Sequence, residues 1–105
     1  MDDLFDGELS ELLKRHGMGL AADNKEELLH LARAVARNIA HLHGYAHADM
    51  VGRVLRGYGI RTLGPAAGSI FKGGDWEWTG DWVKSKRITN HSRMLRVWRL
   101  KNGAT

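Results

Sequence analysis

Between residues 24 and 43 the apolar side chains recur at intervals of three, four and seven: Leu28, Leu31, Ala32, Val35, Ala36, Ile39 and Leu42. That spacing places them on one face of an α-helix and predicts an amphipathic helix over the whole stretch. Asn24, followed three residues later by Glu27, supplies a capping-box start, and Gly44 supplies the stop. A shorter stripe of Phe5, Leu9, Leu12 and Leu13 predicts a helix over 3–16, capped by Asp3 and ended by Gly17-Met18-Gly19. A helix that short needs a surface to lie on, either on the same domain or in a dimer. Met50, Val51, Val54, Leu55 and Tyr58 predict a third helix over 47–57, with Asp49 favouring its N-terminal end and Gly57 and Gly59 ending it. Pro65 suits a first helical position and opens a short helix over 64–72, which Gly73-Gly74 closes.

The period then changes from about 3.6 to 2. Trp76, Trp78 and Trp82 stand at even positions with Glu77, Thr79 and Asp81 between them, the mark of a strand with one buried face. Met94 to Leu100 is a second apolar stretch, studded with arginines. The two predict a hairpin over 75–101. The three tryptophans on one strand face are read as the sheet surface on which the helices bury. The competing reading is an aromatic platform for single-stranded nucleic acid, with one tryptophan left exposed. The pattern therefore describes an α+β fold in a single domain, residues 1–105. It has an N-terminal helix at 3–16, a core over 24–101 and a tail at 102–105.

Composition adds two exclusions. With no cysteine among 105 residues, disulfides and thiolate chemistry are ruled out. No apolar run approaches the roughly 18 residues needed to span a bilayer, so a cytoplasmic protein without a membrane partner is expected. The net charge of +4 is unevenly spread. Residues 1–52 hold five Lys/Arg against nine Asp/Glu, and residues 53–105 hold eleven against three. A basic half of this kind suits a polyanion.

The charge peaks between the two strands, where Lys84, Lys86, Arg87 and Arg93 crowd together with His91. Like charges so placed repel unless an anion screens them. These residues are the first candidates for phosphate contact, followed by Arg61 and Lys72 beside the short helix. Ser85, Thr89, Asn90 and Ser92 can add neutral hydrogen bonds, although Asn90-His91-Ser92 also has the composition of a plain turn. Arg33 and Arg37, four apart on the long helix, read as solvated charge, and Arg53 and Arg56 face outward. His41, His43 and His47 lie close in sequence, but spacing by two puts the first pair on different sides of a helix. No metal or cofactor is expected there. Asp75, Glu77 and Asp81 alternate toward solvent and do not converge as nuclease carboxylates do. No nucleotide-binding or hydrolase motif is present, and no enzyme is expected.

Three helices followed by a hairpin with a basic tip resemble the winged helix-turn-helix class over about residues 24–101. The resemblance implies that 24–43 and 47–57 are the first two helices, 64–72 the recognition helix and 75–101 the wing. It further implies that the recognition helix enters the major groove of double-stranded DNA. Pro65-Ala-Ala-Gly-Ser-Ile-Phe-Lys72 offers only Ser69 and Lys72 for that task, which favours readout of phosphates and shape over base edges. The implied function is a small DNA-binding accessory or regulatory protein, acting as a homodimer or inside a larger complex. The alternative is a winged-helix interaction module whose basic half docks on an acidic protein partner.

Overall fold

The computed structural model describes residues 7–17, 25–60, 68–86 and 93–101. It is α+β, with helices α1 (Gly7–Gly17), α2 (Lys25–His43) and α3 (Ala48–Gly57) followed by strands β1 (Trp76–Lys84) and β2 (Met94–Leu100). The capping expectations at Asp3 and Asn24, together with Phe5 and the 64–67 start of the short helix, lie outside the described residues.

Helix α2 is the spine. Leu31, Ala32, Val35, Ala36, Ile39 and Ala40 are buried along one face, as the 3.6-residue period requires. Leu42 departs from the expected stripe. It is 56% exposed, and Ala40 carries the last buried turn in its place. Gly44 then ends the helix at φ +84°, its N–H donating to the Ala40 carbonyl at 2.8 Å.

Helix α1 packs on this domain, buried through Leu9 and Leu13. Its last residue, Gly17, lies so close to the end of α3 that an added Cβ would sit 1.7 Å from the Tyr58 carbonyl oxygen. Buried His16 brings its Nε2 to 3.5 Å from Glu27 of α2. Helix α3 ends in a Schellman motif. Ile60 N–H reaches the Leu55 carbonyl, Gly59 N–H reaches Arg56, and Gly59 sits at φ +81°.

Val51 and Leu55 of α3 meet α2 in one core with Ile60, Ile70, Phe71 and Trp76, and Trp98 and Leu100 of β2 close over it. Phe71 joins helices to hairpin, edge-on to Trp76 at 4.9 Å and stacked on Trp98 at 5.7 Å. The described part of the short 64–72 segment is one 3₁₀ turn, with Lys72 N–H on the Ser69 carbonyl at 3.3 Å. Ile70 and Phe71 of this turn are buried in the core.

The strands are antiparallel, running from Trp76 opposite Leu100 to Lys84 opposite Met94. Between Trp78 opposite Trp98 and Trp82 opposite Arg96, three residues of β1 face one of β2, so the strand bulges. Gly80, at φ +93°, occupies the bend. A further rung lies outside the hairpin. Ala46, between α2 and α3, exchanges two backbone hydrogen bonds of 2.8 Å with Trp98. No helix among the described residues is long and apolar enough to cross a membrane.

Candidate nucleic-acid interface

Two clefts flank the hairpin where it meets the start of α3. The first, of about 320 Å³, is lined by Tyr45, His47, Asp49, Met50, Arg53, Val83, Lys84 and Lys86. The second, of about 420 Å³, is lined by Ala48, Gly68, Phe71, Lys72, Arg93, Leu95, Arg96 and Trp98. Residues 47–49 therefore sit between them. Among the described residues, the first holds Arg53, Lys84 and Lys86 against Asp49, and the second holds Lys72, Arg93 and Arg96 with no acid.

The sequence-derived candidates divide accordingly. Lys84 and Lys86 line one cleft, Lys72 and Arg93 the other, and all four are exposed. Arg61, Arg87, Asn90 and His91 lie outside the described residues, as do Thr89 and Ser92. Ser69 is held by its carbonyl, which accepts from Arg33 Nε at 3.3 Å and Nη2 at 2.9 Å. Arg53 and Arg96 were not among the candidates. On the helix Arg53 looks like any outward charge, and nothing local marks Arg96 apart from other arginines of β2.

Four expectations are corrected. Arg33 and Arg37 are not merely solvated: they fasten α2 to the segment ahead of β1, Arg33 through Ser69 and Arg37 through a 2.5 Å ion pair with Asp75. Asp75 and Glu77 do not stand free in solvent, because Glu77 pairs at 2.5 Å with Arg99, its cross-strand partner. Ser85 is buried, with its hydroxyl donating to Asp49 Oδ2 at 2.9 Å and lying 3.1 Å from Oδ1. It is a joint between strand and helix, not a donor for phosphate. The Lys86 N–H adds a 2.9 Å bond to the same carboxylate. The tryptophans do not share one fate either. Trp76 is core, whereas Trp78 and Trp82 are 40% and 48% exposed.

These neutralisations shape the electrostatics. Asp75 and Glu77 are matched by Arg37 and Arg99, and the Asp49 carboxylate accepts from two donors, the Ser85 hydroxyl and the Lys86 N–H. Arg53, Lys72, Lys84, Lys86 and Arg93 have no ion-pair partner among the described residues. His47 lines the first cleft, its buried Nδ1 without a hydrogen-bond partner among the described residues. Burial lowers its pKa below the ordinary 6.5; Asp49 opposes that shift and Arg53 adds to it. No group of three or more His, Cys, Asp or Glu able to hold a metal occurs among the described residues.

Set against protein-family models, characterised proteins and solved structures, the chain matches none of them.

Proposed function

We propose that the protein is a small DNA-binding accessory or regulatory protein of winged helix-turn-helix layout, gripping the phosphate backbone across the two clefts beside its hairpin. The observation that carries this reading is that, among the described residues, six cations, Arg53, Lys72, Lys84, Lys86, Arg93 and Arg96, line clefts on either side of the α3 N-terminus with a single carboxylate, Asp49, among them. Cations gathered this way repel one another, and a polyanion relieves that repulsion while releasing its counterions. The order helix, one-residue rung, helix, packed turn and hairpin supports the winged-helix layout. With the cations on the hairpin and the edges of the helices, the contacts fall on phosphates and set register, not sequence.

The test is fluorescence anisotropy of a labelled random duplex at several salt concentrations. With about four to six phosphates neutralised, the slope of log K against log salt is roughly −4 to −5. Replacing Lys72, Lys84, Lys86 and Arg93 with Ala flattens the slope by about 0.9 per residue lost. Flat titrations at about 100 mM salt, where charges beyond roughly 10 Å are screened, would sink the reading. Capture of an acidic protein by the same face would then replace it.

A further inference from the structure

The exposed tryptophans belong to a built feature. On a flat strand the Cα atoms of residues 78 and 82 would stand about 13 Å apart. The bulge folds β1 between them, and their rings meet edge to face with centroids 5.4 Å apart. The geometry is held by hydrogen bonds. Trp78 Nε1 donates to the Asp81 carbonyl at 3.0 Å, Thr79 Oγ1 donates to the Val97 carbonyl at 3.0 Å, and Asp81 N–H donates to Thr79 Oγ1 at 3.1 Å. The one polar atom of the Trp78 ring is thus satisfied within the bulge, while 40% of the residue stays open to solvent.

Arg96 joins this pair to the second cleft. Its guanidinium carbon lies 4.9 Å from the Trp78 ring centroid and 5.4 Å from that of Trp82, within cation–π range of both. The same side chain lines the cleft that holds Lys72 and Arg93. Cations for a backbone therefore run directly into aromatic faces, the pairing that single-stranded nucleic acid requires. An apolar protein partner would use the tryptophans but not the three adjoining positive charges. Asp81 is exposed in the bulge, and its backbone carbonyl accepts from Trp78 Nε1.

We infer that Trp78, Trp82 and Arg96 form a stacking platform for unpaired nucleobases, so that the preferred ligand is a nucleic acid with a single-stranded segment beside a duplex. This rests on the phosphate-binding reading above and narrows its substrate. The phosphates of the duplex would lie across both clefts as above, and the emerging strand would leave the second cleft past Arg96 toward the two rings.

The experiment compares three labelled probes by anisotropy: a blunt duplex of about 15 base pairs, the same duplex with about six unpaired nucleotides, and the unpaired strand alone. Stacking one base strengthens binding about tenfold. Wild-type protein is expected to bind the overhang probe at least about tenfold tighter than the blunt one, with quenching of tryptophan emission. Trp78→Ala/Trp82→Ala removes that advantage, weakening the overhang probe about tenfold more than the blunt one, and Trp78→Phe/Trp82→Phe restores most of it. Equal wild-type affinity for blunt and overhang probes overturns the inference and leaves the phosphate reading standing. So does a double Ala variant that weakens both probes equally, or a self-associated form in sedimentation that the variant dissolves. Failure to bind any of the three probes removes both readings.

Discussion

Asp49 holds the hairpin to the helices, and truncating it has a calculable cost. In Asp49→Ala the buried Ser85 hydroxyl loses the carboxylate that accepts its proton, and a hydrogen bond to a charged group is worth about 1.5–3 kcal/mol. Loss of a negative charge from the first turn of α3 adds about 0.3–1 kcal/mol. The more exposed bond from Lys86 N–H adds about 0.5 kcal/mol, for a total of about 3 kcal/mol. With an unfolding entropy of about 2.1 cal/mol/K per residue over 105 residues, Tm falls by about 14 °C. The assay is a double-mutant cycle of wild type, Asp49→Ala, Ser85→Ala and the double variant, each unfolded in urea and by heat under circular dichroism. The helix charge and the Lys86 bond are lost equally with and without Ser85, so they cancel in the cycle. What survives is the Ser85–Asp49 coupling, expected at about 1.5 kcal/mol. Costs that add to within about 0.3 kcal/mol would show that this joint does not hold the strand.

Two further predictions concern stability. Gly17→Ala places a methyl group 1.7 Å from the Tyr58 carbonyl oxygen, which is backbone and cannot swing aside. The end of α1 must then lift off α3, at a cost of about 2 kcal/mol or more in urea unfolding; a melting curve equal to wild type would refute that close approach. His47 has its pKa lowered in the folded state, chiefly by burial. As pH falls from about 6.5, the unfolded chain takes up that proton first, so stability drops toward acid and is unaffected above neutrality. His47→Gln should make the urea midpoint fall less than wild type between about pH 7.5 and 5.5. An unchanged pH dependence would refute the assignment.

The helices were legible because their period and their glycines act locally. Leu31 to Ile39, the end at Gly44 and the packing stripe of α3 all follow from neighbours within one or two turns. The tryptophans misled because strict alternation was extended through Thr79-Gly80-Asp81. A glycine inside a strand was the available warning of a bulge. Arg33, Arg37 and Ser85 misled for another reason: their partners lie far along the chain, at Ser69, Asp75 and Asp49, and no local pattern encodes such meetings. The basic hairpin was visible as composition, but its division into two clefts depends on where α3 docks.

The rung between Ala46 and Trp98 joins residues half the chain apart through two backbone bonds. Closing such a long loop is entropically slow, so the rung is expected to form after the helices and the hairpin have each taken shape. Once made, it merges them into one cooperative unit. Release of the hairpin then exposes the amides of Ala46 and Trp98 together, giving them matched hydrogen-exchange rates despite their separation in sequence. The rung also ties the hairpin to the chain two residues ahead of α3.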